Sequence, residues 1–358
     1  VGAELKNTIA ILKKDRLFLS SHIGDLTNLK AYEFFQESMG HLKTILKTDP
    51  DIIACDRHPS YLSTQWARQQ NKKIYRIQHH HAHMAACMAE NKIDKDVIAI
   101  ILDGTGLGFD GKIWGGEIFS GNFTHLKREA SLQLMPLPGG DAAVKEPWKM
   151  ALAYLLECGL SEHELFADHN DADIIRQMWH KKINTPYTSS CGRLFDAASV
   201  IAGGREKIFY EAQAAIEFMN QVDINCQDSY KLPPNDKGVI NIQALLSALL
   251  YDRHAGTDIS VLAARFHNSL ADLLTEQALR IRKNRQLNDI VLSGGVFQNK
   301  ILFTRLSNNL YYNKFRVWSH EALPANDGSI SAGQAVVAEA LHNKGLQDVD
   351  FEDLLNKK

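Results

Sequence analysis

Four histidines fall within five residues, His79, His80, His81 and His83, in the stretch QHHHAHMAACMAE at 78–90. The alanine-rich continuation predicts a helix. His79 and His83 then lie one turn apart on one face, where two imidazoles can share a metal ion. His80 and His81 point elsewhere on that helix, toward a substrate or behind the ligands. A single histidine is usually structural or at the surface; four in five residues with an i, i+4 pair read as a metal site.

Two imidazoles do not complete a site, and one of this kind also takes carboxylates. Asp103 ends an apolar strand (VIAIIL, 97–102) at the lip of a Gly-rich loop, 104–111. Asp327 lies in PANDGS, just before the last helix. Each is also a residue that turns and helix caps use, and Asp327 could simply cap the helix that starts after Gly328.

Three stretches suit a nucleotide. In LSGGVFQN (292–299) an apolar strand ends in Gly294 and Gly295 and a helix follows. Missing side chains let a flat base or ribose lie against the backbone, and turn N–H groups can reach a phosphate; a plain strand–helix turn has the same form. TSSCGRLFDAAS (188–199) opens a helix with Gly192 and Asp196. Ser189 or Ser190 could be its N-cap, and Cys191 reads as a small buried residue. YEAQAA (210–215) puts Glu211 and Gln213 at another helix start, suited to ribose or base hydrogen bonds or to N-terminal charge.

Gly106, Gly108 and Gly111 match the dinucleotide fingerprint as a string, and with Lys112 nearly a phosphate-binding P-loop. Context rejects both. Ile113 stands where a P-loop needs Ser or Thr, and IWGGEIF reads as a strand where both motifs need a helix. The loop that begins at Gly104 and Thr105 reads instead as a tight hairpin whose N–H groups can hold an anion.

The elements that must position these residues form two runs. A hairpin (8–20) is followed by a helix at 27–46, a strand at 51–55, a helix at 60–70 and a strand at 73–77 that delivers the chain to the histidines. A second strand–loop–strand unit (97–119, with 121–124 as an extension) starts another alternating run. The two units suggest two related lobes, 1–95 and 96–358. The second holds a helical insertion over about 135–285, with a Pro/Gly-rich loop at 135–148 and a surface excursion at 225–240. Strand–helix–strand texture returns at 289–318, a last helix starts near Ser329, and the tail after Lys344 reads as peripheral.

With 358 residues, 45% apolar and 23% charged, the chain has the composition of a globular protein larger than one typical domain. A net charge of −2 gives no basic footprint and counts against nucleic acid as a partner. There is no apolar run of ~18 residues to span a membrane and no signal peptide. Five cysteines without a CxxC argue against a disulfide framework or structural zinc and fit a reducing cytoplasm. Val1 at the start fits a piece of a longer chain.

HHHAH, LDGTGLGFDGKIWGGE, LPGGDAAVKEPW, SSCGRLFDA, YEAQAA, SGGVFQN and LPANDGSISAGQ occur in that order, and the opening GAELKNTIAI…SSHIGDL fits the same pattern. Together they resemble the C-terminal, Kae1-like half of the hydrogenase maturation carbamoyltransferases, the HypF family, over essentially the whole chain. The resemblance implies an α/β fold of the two-lobed, actin-like and sugar-kinase-like (ASKHA) class with a ligand cleft between lobes. It implies a divalent metal held by His79, His83, Asp103 and Asp327 and touching a nucleotide phosphate; iron, zinc or manganese suits that donor set. Gly294, Gly295, Asn299, Gly192, Asp196, Glu211 and Gln213, with Gly104 and Thr105, would bind the adenine nucleotide, as carbamoyladenylate, AMP or ATP. Lys6, expected on the first hairpin loop, and His80 would face the reacting group.

By the same resemblance, the acceptor is the C-terminal cysteine thiol of the partner HypE, on the route to the cyanide ligands of [NiFe]-hydrogenase. The family's acylphosphatase-like, zinc-binding and YrdC-like domains lie outside these residues, so this chain is expected to use carbamoyladenylate and not to make it. Three other readings stay open: a transferase to a small-molecule hydroxyl, the tRNA threonylcarbamoyl branch, and a scaffold that binds metal and nucleotide without turnover.

Overall fold

The computed structural model describes residues 1–161, 163–233, 238–353 and 355. The chain opens with a hairpin, β1 (Ala10–Lys13) and β2 (Arg16–Leu19). Helix α1 (Leu29–Leu46) follows, its first N–H groups capped by Asn28. Strand β3 (Ile52–Asp56), helix α2 (Leu62–Gln69) and strand β4 (Lys73–Ile77) make a parallel pair with its crossover. The chain then enters α3 (His79–Glu90), the histidine helix. Ile9, Leu26, Phe35, Ile53 and Trp66 form the core of this layer.

The main sheet begins with β5 (Val97–Leu107), β6 (Ile113–Gly121) and β7 (His125–Leu132), an antiparallel meander. Short strands β8 (Met135–Pro136), β9 (Tyr187–Thr188) and β10 (Val239–Ile240) attach beside it. Between them lie the helices α4 (Pro147–Glu157), α5 (His163–Phe166), α6 (Ala172–Lys181), α7 (Cys191–Ile201) and α8 (Gln213–Asn220). Helices α9 (Gln243–His254) and α10 (Ile259–Arg285) lead to β11 (Asp289–Ser293), which pairs parallel with β5. Helix α11 (Lys300–Tyr312) and strand β12 (Arg316–Ser319), then α12 (Ile330–Asn343) and β13 (Asp350–Asp353), complete the chain.

Strand β5 explains the architecture. Its apolar run has no polar alternation because both faces are covered. Ile98, Ile100 and Leu102 point into the large core built with α4, α7, α9, α10 and α11. Val97, Ala99 and Ile101 point the other way, against Met84, Cys87 and Met88 of α3. The same period of two puts Asp103 on the α3 side. Helix α12 then crosses α3 at Gly333, where a Cβ would sit 1.8 Å from the Ala82 carbonyl oxygen, and also packs on β1 and β3. The last helix is thereby part of the N-terminal layer in space.

Four expectations need correction. Strand β5 does not stop at Asp103; it runs to Leu107 with a register shift between Leu102 and Gly106, so the glycine loop shrinks to a turn at 108–111. A strand at 125–132 was not foreseen. Its HLKREASL sequence looks like surface, yet Lys127, Arg128 and Glu129 are buried and paired with Glu352, Glu117 and Arg285. The tail is not merely peripheral, because β13 pairs parallel with β7. Part of the expected surface excursion, 234–237, lies outside the described residues, while Val239–Ile240 joins the sheet edge. Among the described residues no helix is long and apolar enough to cross a membrane.

Candidate functional site

Gln78 caps α3 by accepting the His81 N–H at 2.8 Å. The cap, one residue before His79, starts the helix at His79 itself. His79 Nε2 lies 3.4 Å from Asp103 Oδ2 and 3.7 Å from Asp327 Oδ1. His83 Nε2 lies 3.6 Å from each of the same two oxygens. All four candidate ligand atoms fall within 4.8 Å of one another. Asp327 is free to face the histidines because Asn326, not Asp327, caps the turn ahead of α12, accepting the Gly328 N–H at 3.0 Å. Asp103 is held by the Gly295 N–H at 3.2 Å.

Do these residues fit a divalent cation? His79 Nε2, His83 Nε2 and Asp103 Oδ2 are buried with no hydrogen-bond partner, an expensive arrangement unless something else satisfies them. Donors around a tetrahedral ion with bonds near 2.1 Å are separated by roughly 3.4 Å, close to the spacings here. Two imidazoles and two carboxylates are also a donor set that zinc, iron and manganese accept. The cluster fits a metal on all three grounds.

The electrostatics agree. Burial disfavours charged imidazoles, but Asp103, Asp327 and, for His79, Asp56 outweigh it and hold both rings above the usual histidine range. The 3.4–3.7 Å separations are too long for good hydrogen bonds, so the attraction is mainly Coulombic. Asp103 is opposed by burial yet held well below the usual carboxyl range by the two histidines. Behind His79, Asp56 Oδ2 lies 2.9 Å from Nδ1. Sequence reasoning missed Asp56, although a carboxylate at the end of a buried strand was a visible signal. This pairing keeps the Nδ1 proton in place and turns Nε2 toward the cluster.

The cluster opens on a cavity of about 470 Å³. Asp103 and Asp327 belong to its lining. Gly104, Thr105, Gly192, Asp196, Glu211, Gly295 and Asn299 all line it, as does Lys6. Lys6 is not on the hairpin loop; it precedes β1 and reaches Glu211 at 2.7 Å across the cavity. Burial lowers its pKa but the Glu211 carboxylate more than compensates, so Lys6 stays cationic. Burial lifts the Asp196 carboxyl to about 6, against the pull of Arg193 at 3.1 Å. Phe195, Ile216, Met219 and Val296 supply an apolar wall that no motif announced.

Three expected residues stand elsewhere. Gln213 spends its amide on the Phe209 N–H (2.8 Å) and on Glu217 (2.8 Å) and does not line the cavity. Gly294 is absent from the wall as well. It has φ 106 and a Cβ there would fall 2.2 Å from the Leu102 carbonyl oxygen, so its bareness serves the contact between β11 and β5. His80 is fully buried, bonded to Gln78 at 2.9 Å, and burial holds it well below the usual range. It does not face the cavity because the helix turns it toward Trp114 and Phe119. His81 is buried too, on the Asn122 carbonyl at 2.8 Å.

Fold and site together define a Kae1-like domain of the actin-like, sugar-kinase-like class. Residues 1–90 match the family described as "HypF Kae1-like domain", and residues 99–334 match "Carbamoyltransferase, Kae1-like Domain, second subdomain". This chain belongs to the HypF carbamoyltransferase family. It is 37% identical over 342 residues to the carbamoyltransferase HypF of Rhizobium leguminosarum bv. viciae, covering 94% of this chain and 44% of that protein. A carbamoyltransferase HypF homolog of Cupriavidus necator is 32% identical, with 94% and 90% covered. A crystal structure of full-length HypF in the phosphate- and nucleotide-bound form superposes with a TM-score of 0.90 at 38% identity, covering 95% of this chain and 54% of that one. The chain thus spans about half the length of most of the curated relatives it matches.

Proposed function

We propose that this chain carries out the transfer half of a carbamoyltransferase reaction, taking the carbamoyl group of carbamoyladenylate to the C-terminal cysteine thiol of HypE during [NiFe]-hydrogenase maturation. One observation carries the reading: Asp103 and Asp327 of the histidine–aspartate cluster line a cavity that Phe195, Ile216, Met219 and Val296 also line. That pairing suits a ligand with a phosphate at one end and a flat base at the other. Family membership and the nucleotide-bound relative support it.

His79, His83, Asp103 and Asp327 would hold a divalent cation, which supplies positive charge beside the phosphate as AMP departs. Phe195, Ile216 and Val296 offer the base an apolar face. Asp196 and Glu211 supply hydrogen-bond acceptors for ribose or base, and Asn299, though its amide already caps α11 and meets His267 at 2.9 Å, borders the same space. Lys6, paired with Glu211 in the same lining, would bring its charge near the reacting group. In the step itself the acceptor sulfur bonds to the carbamoyl carbon. The carbon–oxygen bond to the phosphate breaks, and its electron pair leaves with AMP. An acceptor already ionised needs no base from the protein, and a thiol gives its proton to solvent.

Residues 1–95 and 96–358 are taken as the two lobes, with α12 returning to the first. The five free cysteines support placing the chain in a reducing cytoplasm. The decisive experiment supplies carbamoyladenylate, generated by a separate YrdC-like domain, to this chain with a peptide ending in cysteine and its serine counterpart. Carbamoylation of the cysteine peptide alone is expected. Transfer to the serine peptide points to the hydroxyl-acceptor reading, and nucleotide binding without any transfer to the scaffold reading. Replacing His79 and His83 with Ala should abolish both bound metal and turnover; retention of both would place the site elsewhere.

A further inference from the structure

The two candidate metal ligands on α3 are oriented by different means. Behind His79 stands a carboxylate, Asp56. Behind His83 stands only a hydroxyl, and at longer range: Ser293 Oγ lies 3.4 Å from His83 Nδ1, a weak hydrogen bond beside the 2.9 Å one behind His79. A hydroxyl can donate or accept, so by itself it leaves the ring's tautomer open. Ser293 is the last residue of β11, and the period of two that turns Val291 toward α3 turns Ser293 there as well.

The hydroxyl has a second neighbour. His320 Nε2 lies 2.9 Å from Ser293 Oγ, and His320 Nδ1 lies 2.8 Å from Glu90 Oε2. Glu90 closes α3 at its C-terminal end, where the helix dipole disfavours a negative charge. It is held there by other bonds: Oε1 accepts the N–H groups of Glu321 (2.9 Å), Ala322 and Leu323 (3.2 Å). Burial pushes its carboxyl up, but those N–H groups and His320 bring it below the usual value, so it is ionised. Burial also lowers His320, which is therefore neutral.

We infer that Glu90, His320 and Ser293 form a directional hydrogen-bond relay that keeps a proton on His83 Nδ1 and so presents Nε2 to the Asp103–Asp327 cluster. The direction follows from the carboxylate. An ionised Glu90 can only accept, so His320 must donate from Nδ1 and accept at Nε2. Ser293 then donates its hydroxyl proton to His320 and offers a lone pair to His83. His83 carries its proton on Nδ1, leaving Nε2 for the cluster. Glu90, His320 and Ser293 are positioning residues: they touch neither the cavity nor the proposed ion. The inference rests on the metal reading of the preceding section for its consequence, not for its geometry.

Glu90→Gln tests it with little change in shape. The amide oxygen can keep the three backbone N–H groups, while the amide NH2 now donates to His320 and reverses the relay. In the 358-residue chain, ring-nitrogen NMR should show His320 with its proton on Nδ1 in the wild type and on Nε2 in the variant. Zinc affinity, read by competition with a chromophoric chelator, should fall by about 10- to 100-fold, the range for lost outer partners of metal ligands. Ser293→Ala should fall comparably, and Glu90→Gln should add nothing in that background. Unchanged zinc affinity with His320 reversed overturns the relay, as do two losses that simply add. If Ser293→Ala does not fold, Glu90→Gln alone decides. A wild type that binds no zinc sinks the metal reading instead; the relay is then read at His320, and a wild-type His320 with its proton on Nε2, or one unchanged in Glu90→Gln, overturns it.

Discussion

Asp196 offers the most quantitative check on the cavity. It sits in the first turns of α7 with about 1% of its surface exposed, and neither carboxylate oxygen has a well-formed hydrogen bond. Arg193 stands 3.1 Å away but does not fully offset burial, so the carboxyl moves from 3.8 to about 6. The native state therefore holds the proton more tightly than the unfolded chain. Stability from this group is fully present below pH 3.8 and is lost as pH rises toward about 6. At 1.36 kcal/mol per pH unit the loss at neutral pH comes to roughly 3 kcal/mol. Asp196→Asn mimics the protonated form at all pH values. The variant should match the wild type near pH 4 and exceed it by about 2–3 kcal/mol at pH 7, measured as the shift in urea midpoint multiplied by the slope. A flat difference across that range, or a variant less stable at pH 7 than at pH 4 relative to wild type, refutes the reasoning. Nucleotide binding should move the opposite way, since the variant loses an ionised acceptor in the cavity. A residue that costs stability where the ligand is expected is the usual signature of function over fold.

Two further outcomes follow from the packing. Gly333→Ala puts a methyl 1.8 Å from the Ala82 carbonyl, so α12 must move off α3; a loss of about 1–3 kcal/mol or more is expected in urea unfolding, together with weaker metal binding, because α3 carries both histidines. Lys6→Met breaks a half-exposed ion pair with Glu211 that contributes at most about 1 kcal/mol; stability should barely change while carbamoyl transfer falls, and transfer at the wild-type rate would remove Lys6 from the reaction.

Much of the candidate site is legible in the sequence because its signals are local. The spacing of His79 and His83 needs only a helix, and Gln78 begins that helix where the pattern required. Asp103 stands out as the residue that ends the apolar run VIAIIL at the lip of the glycine loop. What the sequence hid depended on distant partners. The charged 125–132 segment becomes a buried strand only because Glu352, Glu117 and Arg285 arrive from elsewhere in the chain. Gly294 and Gly295 look alike as letters, yet one is bare to let β11 meet β5 and the other to border the cavity. His80 was given a substrate role because it neighbours the ligands, but on a helix a neighbour in sequence points about a quarter turn away, here into the core.

The histidine helix therefore does more than display ligands. One face meets β5 and β11 of the large sheet, and another meets α12, which packs on β1 and β3. Its ligand partners come from two segments far apart in sequence: Asp103 continues β5, and Asp327 begins the turn into α12. The supports behind the ligands come from two more, Asp56 at the end of β3 and Ser293 at the end of β11. Each support is a strand terminus, where the backbone is fixed by pairing and the side chain is free to reach across. A cation held by this cluster would thus be tied at once to the small N-terminal layer and to the large sheet, and any shift of one against the other would be felt first as a change in the distances between His79, His83, Asp103 and Asp327.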